Sequence, residues 1–350
     1  MDAATIWRLL REQWKTLPLV TGDVRSKQLM VVGSNVGLGF EASVHIAKMN
    51  PKLLLATSRD VVKCENTREA ILQRIQSSEP HTETVPEVTS WPLDLSTFES
   101  VRAFADRFAV EGNGRLDVLI ANAGVFTSEY TRTQDGWEIM LQVNYLSAAL
   151  LSILLLPYLV KSSDGESPSR LVIVSSLGHY FGGAKLKKSG LARANVLETL
   201  NSEEFANSID RYNISKFLQV AFVQELASRL PMPTPIVACT VNPGLCRSSL
   251  FRDADTMWYM APILYVVYKL LSARSTEEGS RTLIHAAIAD EERSMHGRYL
   301  SSCMIAQESD YLLTVEGKAL ASEIWTETIE ILAKIDDRVP DILKQHLRTD

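Results

Sequence analysis

Residues 27–49 read KQLMVVGSNVGLGFEASVHIAKM, and this stretch decides the fold of the chain. An apolar run, KQLMVVG, leads into a turn rich in glycine, and the helical pattern FEASVHIAKM follows. Glycines let a backbone turn tightly and approach a phosphate, which the amides at a helix N-terminus bind. We interpret the segment as a strand, a nucleotide-binding turn and a helix. The turn is spaced GxxxGxG, and its predicted binding residues are Gly33, Asn35, Val36, Gly37, Leu38 and Gly39.

The same alternation of apolar runs and helical patterns continues along the chain. Further strands are predicted at 52–58, 87–93, 116–122, 170–176 and 235–241, with helices around 65–78, at 134–163 and from about 212. Strands that are apolar on both faces and alternate with helices are typical of a covered parallel sheet. We therefore predict a single-domain α/β fold, a Rossmann-type doubly wound parallel sheet with helices on both faces. The predicted divisions are an N-terminal helical extension at 1–26, the catalytic domain at 27–302 and a mostly helical tail at 303–350.

Composition excludes several classes of protein. The 350 residues carry 36 Lys and Arg against 42 Asp and Glu, a formal net charge of −6, and 46% of them are hydrophobic. These values are typical of a globular chain with a large core, and the acidic balance argues against a nucleic-acid partner. The cysteines lack the spacing of a disulfide scaffold or a zinc site, so we predict reduced thiols, no metal and a cytoplasmic location. They are Cys64, Cys239, Cys246 and Cys303.

Two apolar features bear on membranes. The N-terminal segment places Ile6, Leu9, Leu10 and Trp14 on one helical face. We interpret this face as packing on the domain, and the alternative is a weak peripheral membrane contact. Residues 143–160, VNYLSAALLSILLLPYLV, carry no charge and are almost long enough to span a bilayer. Because they also contain polar residues and a proline, we predict a helix buried against the sheet and no transmembrane segment.

The second strand reports on the cofactor, since ligands of such sheets bind at the carboxyl ends of the strands. It ends in Ser58 and Arg59. An acid at this position would accept from an NAD ribose, whereas a guanidinium binds the 2′-phosphate of NADP. We therefore predict NADP(H). The alternative is a solvated Arg59 paired with Asp60.

The third and fourth strands also end in candidate binding residues. Asp94, followed by Leu95, is predicted either to accept from an adenine amino group or to cap the next helix, a role open to Ser96 as well. Small residues after the fourth strand let the backbone pass close to a ligand, although the asparagine could instead join neighbouring strands. These residues are Asn122, Ala123 and Gly124.

Three further residues predict acid–base chemistry. Tyr212 and Lys216 are spaced i, i+4 and so share one face of a helix. An ammonium one turn away favours the phenolate and lowers the tyrosine pKa from about 10 toward the working range. Ser176, at the end of the fifth strand, could bond a substrate carbonyl and share the developing oxyanion.

Together these motifs resemble the short-chain dehydrogenase/reductase family over about residues 27–300, above all its retinol-dehydrogenase-like and fungal natural-product reductase branch. The resemblance is carried by VVGSNVGLG, TSRD, PLDLS, LIANAG, TQDGWEIMLQVN, RLVIVSS, RYNISK and VNPGLCRSS. It implies that Tyr212 is the acid in ketone reduction and the base in alcohol oxidation. It implies that Lys216 binds the nicotinamide ribose and lowers the tyrosine pKa, and that Ser176 orients the substrate oxygen.

The resemblance adds residues that spacing alone does not select. Asn144 would be a fourth catalytic residue, holding a water that links Lys216 to solvent. The loop touching the nicotinamide would contain Pro243, Gly244 and Ser248. Subunits of the family often pair through the helices that carry Asn144 and Tyr212, which implies a homodimer, unless the added terminal segments cover that face and leave a monomer.

The substrate is only outlined. An insertion at 182–210 is predicted to rim its pocket, and the aromatic segment 249–271 either forms an apolar lid or packs on its neighbours. His179 and Tyr180 could line the same cleft. We predict NADP(H)-dependent interconversion of a ketone or aldehyde and an alcohol on a hydrophobic small molecule such as a polyketide or terpenoid. The alternatives are a retinol- or steroid-type dehydrogenase and a catalytically silent NADP-binding regulatory protein; a serine hydrolase would need a GxSxG elbow, which these serines lack.

Overall fold

The structure is a computed structural model that describes residues 11–78, 86–163, 167–191, 195–247, 250, 272–290 and 292–348. The strands of this part of the chain form one sheet in the order β3-β2-β1-β4-β5-β6-β7-β8. Neighbours from β3 to β7 are parallel, and β8 is antiparallel to β7. The strands are β1 Gln28–Val32, β2 Leu53–Ser58, β3 Val88–Pro92, β4 Val118–Ala121, β5 Ser169–Val174, β6 Ile236–Asn242, β7 Tyr299–Ser301 and β8 Met304–Ala306.

Helices connect most of these strands and cover the sheet. The connecting helices are α1 Gly37–Lys48, α2 Val61–Ser78, α3 Phe98–Glu111, α4 Ile139–Ser162, α5 Gly178–Ser189, α6 Val196–Leu200, α7 Ser208–Arg229 and α8 Thr276–Ile288. After the sheet come α9 Asp310–Leu313, α10 Val315–Ile335 and α11 Arg338–His346. The predicted α/β class, with a parallel sheet and helices on both faces, is confirmed.

Side-chain alternation along the strands divides the core into two layers. Every residue of β1 is buried, because successive side chains point to opposite faces of a sheet and both faces are covered. Leu29 and Val31 pack in a layer with residues of α1, α2 and α8. Met30 and Val32 pack in the opposite layer with residues of α3, α4 and α7. A central strand such as β1 therefore needs apolar side chains on both faces, which explains its continuous apolar run.

Helix α4 differs from its prediction in two ways. It begins at Ile139 rather than at 134, because a turn closed by the Arg132–Glu138 bridge precedes it, with Gly136 at φ +85°. Within it, Gln142–Leu146 is π-helical. By length and composition α4 could cross a membrane, but 94% of its most apolar 18-residue window is buried inside the fold. This agrees with the predicted core helix.

The C-terminal tail is less purely helical than its sequence pattern predicts. The short strands β7 and β8 were missed, and they form a hairpin through Ser302 and Cys303, both with positive φ. A turn of this kind usually carries Asn-Gly or Asp-Gly, so its sequence signal is absent here. The helices α10 and α11 then pack on α7 and α4. Thr328 exchanges a 2.7 Å hydrogen bond with Tyr145 of α4, and Trp325 stacks on Phe222 of α7 with ring centroids 5.5 Å apart.

The strand order predicts a binding site at the carboxyl ends of the central strands. The chain leaves β1 toward β2 and β3, then returns to β4 on the other side of β1. The connections therefore diverge between the carboxyl ends of β1 and β4, which opens a crevice there.

Candidate active site

A cavity of about 620 Å³ lies at this crevice. It brings together most of the residues that the sequence selected, from the ends of six strands and from helix α7. The predicted residues that line it are Gly33, Asn35, Val36, Gly37, Leu38, Ser58, Arg59, Asp94, Leu95, Asn122, Ala123, Gly124, Ser176, Tyr212, Lys216, Pro243 and Gly244. Gly39 and Asn144 lie behind this wall, and Ser248 and the lid segment 249–271 fall outside the described residues, apart from Leu250.

Gly37 and Gly39 are each required to be glycine, but for different physical reasons. Gly37 has φ +69°, and a Cβ placed on it would meet no atom within 4 Å, so it faces open space in the cavity wall. Gly39 has the opposite surroundings: its Cβ would lie 2.2 Å from Gly33 O and 2.4 Å from Asn122 Nδ2. Gly39 therefore lets α1 pack against β1 and β4, while Gly37 leaves a ligand-sized space beside backbone amides.

Cations surround the end of β2. Arg59 is exposed and lines the cavity. Lys63, in the first turn of α2, lines the cavity as well. Asp60 accepts from Lys63 Nζ at 2.6 Å, and the positive charge of Arg59 makes a smaller contribution that also lowers the Asp60 pKa. Ser58 is buried and its hydroxyl bonds to Thr67 Oγ1 at 2.9 Å.

Asp94 and the following residues order the turn after β3. Asp94 Oδ1 accepts from the backbone N–H and hydroxyl of Ser96, at 2.9 and 2.7 Å. The cap of α3 is Thr97, whose side chain accepts from Ser100 N at 3.2 Å. Neither residue proposed for capping performs it. Asp94 instead lines the cavity from a turn that its own side chain stabilises.

Asn122 joins two neighbouring strands, the alternative role predicted for it. Its Nδ2 donates to Val32 O at 3.1 Å and to Gly33 O at 3.0 Å. The side chain thus joins the ends of β1 and β4 and holds the first residue of the glycine turn. Its place in the wall of the cavity follows from that fixed position.

Tyr212 and Ser176 meet in the same cavity. The tyrosine ring packs edge-on against Phe126, with centroids 5.7 Å apart. Burial raises the pKa of Tyr212 to about 12, and a side-chain hydrogen bond with Ser176 acts in the opposite direction. Ser176 Oγ also accepts from Gly178 N at 3.1 Å, which fixes its rotamer at the start of α5.

The burial of Lys216 bears on the prediction that this lysine lowers the pKa of Tyr212. Its Nζ lies 5.6 Å from the centroid of the Tyr212 ring, and burial lowers the pKa of Lys216 to about 7. A lysine that loses its charge near neutral pH cannot hold the tyrosine pKa low by its own field, so the protein's groups leave Tyr212 protonated at neutral pH. Lys216 Nζ donates to Val174 O at 3.0 Å and to Gln219 Oε1 at 3.2 Å.

Asn144 organises the backbone behind Lys216. Its Oδ1 accepts from Val125 N at 2.7 Å, and its Nδ2 donates to Val125 O and Ser215 Oγ, both at 3.0 Å. Its carbonyl accepts from Gln219 Nε2 at 2.6 Å. The side chain of Gln219 therefore bridges Lys216 Nζ and the Asn144 carbonyl. Gln219 was not among the residues predicted from the sequence, although its i+3 spacing from Lys216 was available as a signal.

The loop after β6 is held by residues from distant parts of the chain. Gly244 has φ +81°, and a Cβ there would lie 2.5 Å from Arg274 Nη1. Arg274 donates to Pro243 O at 3.2 Å and to Glu12 O at 2.6 Å. Gln13 bonds to both backbone groups of Leu245. These contacts join the N-terminal extension, the loop after β6 and the segment just before α8. Because the residues are far apart along the chain, no local sequence pattern predicts the contacts.

The rim of the cavity is apolar. Phe181 and Ile209 line it and are 47% and 53% exposed, and Leu250 lies near Tyr212. His179 and Tyr180 do not line the cavity as suggested. Their rings are buried and pack on each other, with centroids 4.0 Å apart. The helical phase of α5 turns Phe181, one residue further along, toward the opening.

Comparisons with known proteins agree with this arrangement. The family model described as short chain dehydrogenase matches residues 27–186. The chain is 32% identical to the short chain dehydrogenase/reductase dmxR8 of Cryptosporiopsis over 93% of this chain and 97% of the relative. It is 30% identical to mouse retinol dehydrogenase 12 over 89% of this chain and 87% of that protein. The structure of Pseudomonas aeruginosa RhlG in complex with NADP superimposes with a TM-score of 0.60 at 20% identity, covering 80% of this chain and 97% of the other.

Proposed function

Because this chain belongs to the short-chain dehydrogenase/reductase family, a family of oxidoreductases acting on CH–OH groups, we propose that it uses NADP(H) to interconvert a carbonyl and an alcohol on an apolar small molecule. The observation that carries the proposal is that Tyr212, Ser176 and the glycine turn line the same cavity. The turn can hold a pyrophosphate at one end while the two hydroxyls hold a reacting oxygen at the other.

The residues present fit a dinucleotide. The open space beside Gly37 and the amides at the start of α1 suit the pyrophosphate. In its protonated form Lys216 Nζ uses two of its three donors on Val174 O and Gln219 Oε1, which leaves one for a ribose hydroxyl in the cavity. When bound, NADPH supplies a hydride to the carbonyl carbon.

The chain's own groups supply the proton and the orientation. Ser176 and Tyr212 both present hydroxyls to the cavity, so they can bond the same substrate oxygen. Since the pKa of Tyr212 is about 12, the hydroxyl is protonated at neutral pH and can donate to the oxygen as charge develops on it. This is the protonation state from which Tyr212 acts as the acid in carbonyl reduction.

The choice of NADP(H) over NAD(H) rests on the end of β2. Arg59 and Lys63 place two cations at the cavity wall, and the nearby carboxylate, Asp60, is already paired with Lys63. A planar guanidinium beside the ribose binds a 2′-phosphate well.

Calorimetric titration with NADPH and NADH tests the cofactor. We expect the wild type to bind NADPH more tightly, and Arg59→Ala to lose about tenfold or more of the NADPH affinity, because a charge-assisted contact is worth about 1.5–3 kcal/mol. Arg298→Ala, which removes another exposed arginine outside the cavity, is the matched control. Equal affinity for both cofactors would refute the NADP assignment, and no binding of either would refute the proposed nicotinamide cofactor altogether.

The apolar rim supports a hydrophobic substrate, such as a polyketide or terpenoid ketone. Retinoid and steroid carbonyls belong in the same screen, because of the similarity to retinol dehydrogenase 12. Phe181→Asp should raise KM for the best substrate about tenfold and leave NADPH affinity unchanged, since burial of an aromatic ring is worth about 1.5–3 kcal/mol. Val110→Asp, at an apolar residue that is 85% exposed elsewhere on the surface, is the control. Equal effects of the two variants on KM would contradict an apolar rim.

A further inference from the structure

The side chain of Gln219 forms a bridge between Lys216 and the backbone of Asn144. Its Oε1 accepts from Lys216 Nζ at 3.2 Å, and its Nε2 donates to Asn144 O at 2.6 Å. Because a carbonyl can only accept, the contact with Asn144 O fixes which end of the amide faces the lysine. The acceptor end is therefore held against the amine of Lys216.

All three members of the bridge are buried, with exposures of 3% for Lys216, 2% for Gln219 and 0% for Asn144. Among the described residues, no carboxylate is within ion-pair distance of Lys216 Nζ, so two neutral oxygens, Val174 O and Gln219 Oε1, are its protein partners. A buried ammonium depends strongly on such acceptors, because water cannot replace them.

The geometry points to Gln219 as a positioning residue that takes the place of a water between Lys216 and Asn144 and stabilises the protonated amine facing the cofactor site. This inference rests on the proposed function, in which Lys216 holds the ribose. Gln219 touches neither substrate nor cofactor, and it acts through the lysine. An amide also differs from a water in having no proton to pass on at neutral pH, so it holds Lys216 without relaying protons to solvent.

Few other groups could set the charge of Lys216. Tyr212, on the same helix, is the titratable side chain that faces it, and it is protonated at neutral pH. On the helices packed against α7, Tyr145 of α4 bonds to Thr328, and His179 of α5 is neutral because burial lowers its pKa to about 3. Burial alone lowers the pKa of Lys216, without a contribution from a charged neighbour. Gln219 is thus the side chain whose replacement should change it most.

Two substitutions at Gln219 give opposite expectations. Gln219→Met removes the acceptor at similar volume, so Lys216 should lose its proton at lower pH. Gln219→Glu places an anion against the amine and should raise the pH at which the proton is lost. Each change should move the titration midpoint by about one pH unit, the size expected for one hydrogen bond to a charged group. Gln224→Met is the matched control, because Gln224 lies on the same helix and bonds to Glu308 away from the cavity.

The measurement is trace labelling of Lys216 with acetic anhydride as a function of pH, quantified by mass spectrometry on the full-length protein. It requires neither cofactor nor substrate. We expect a lower midpoint in Gln219→Met, a higher one in Gln219→Glu and no change in Gln224→Met. Midpoints that do not move, or that move in the same direction in both Gln219 variants, overturn the inference. Should Gln219→Met fail to fold by circular dichroism, the isosteric Gln219→Glu still decides the question.

NADPH titrations of the same proteins separate this inference from the proposed function. If both hold and the protonated lysine is the form that binds, affinity at pH 8 relative to pH 6 falls in Gln219→Met and rises in Gln219→Glu, about fivefold in each case for a midpoint moved by one pH unit from about 7. Opposite labelling shifts in a protein that binds no NADPH would confirm the effect of Gln219 on Lys216 and refute its role in cofactor binding.

Discussion

Gln13 pairs with Leu245 through both ends of its side-chain amide, as a neighbouring strand would. Its Oε1 accepts from Leu245 N at 2.9 Å, and its Nε2 donates to Leu245 O at 3.0 Å. A residue of the N-terminal extension thereby orders the loop after β6, which lines the cofactor cavity. The extension is part of the site's support rather than an appendage of the domain.

We therefore expect Gln13→Ala to weaken NADPH binding about five- to tenfold, because two hydrogen bonds worth about 1 kcal/mol each no longer hold the loop. Calorimetry measures the affinity, and the urea midpoint reports the accompanying loss of stability. Arg11→Ala, at an exposed neighbour, controls for changes in the extension itself. An affinity equal to that of the Arg11 variant would show that the loop needs no support from Gln13.

Gly37→Ala should weaken NADPH binding by more than tenfold. Gly37 and Gly136 both have positive φ, at +69° and +85°, and a Cβ on either meets no atom within 4 Å. The two alanine variants thus carry the same backbone strain, on the order of 1 kcal/mol. Only the methyl at position 37 enters the proposed pyrophosphate space. Thermal denaturation should show similar losses for both variants, and equal NADPH affinities would exclude a phosphate from that space.

Lys216 should make stability depend on pH. Its pKa is about 7 in the folded chain against 10.5 for an unperturbed lysine, so between these values the unfolded chain binds more protons. The free energy of unfolding therefore gains a contribution that rises with pH, on the order of a few kcal/mol from pH 7 to 10.5. Lys216→Met lacks this contribution.

Urea titrations at several pH values measure that difference. The stability of the wild type relative to Lys216→Met should increase as the pH rises from 7 to 10, and effects common to both proteins cancel. Lys52→Met, at an exposed lysine, provides the baseline. A difference that is flat, or that falls with pH, would mean that Lys216 stays charged in the folded chain.

The tail helix α10 should stabilise the core through Trp325. This residue stacks on Phe222, and the Arg229 guanidinium lies 4.9 Å from its ring centroid. Trp325→Ala should cost about 3–5 kcal/mol, as measured by urea unfolding. Trp14→Ala, at a tryptophan that is 54% exposed, should cost far less. Comparable losses would contradict a structural role for the tail.

The same tail bears on assembly. Helices α10 and α11 pack on α7 and α4, the helices that carry Tyr212 and Asn144, so the chain itself covers part of the surface through which subunits were expected to pair. We expect light scattering to give the mass of one chain for the wild type. A dimer would require pairing through another surface.

The glycine turn, the Tyr212–Lys216 spacing and the two-sided apolar strands were readable from the sequence, since each depends on residues that are close along the chain. Those local patterns determine the fold class and most of the cavity wall. The same reasoning failed where contacts are distant. Asp94 and Ser96 were the residues considered for the cap of α3, which is Thr97; α4 begins later than predicted; and the hairpin was missed because its turn lacks a typical signal.

Tertiary structure alone decided the electrostatics and the support of the site. Burial by surrounding helices sets the pKa of Tyr212 to about 12 and of Lys216 to about 7, reversing the expectation from their spacing. Gln13 meets Leu245 across a separation of 232 residues, and Gln219 reaches the carbonyl of Asn144 on another helix. Periodicity and spacing record which face of an element is apolar. They contain no information about which distant group fills a hydrogen-bonding position, because packing of the folded chain determines it.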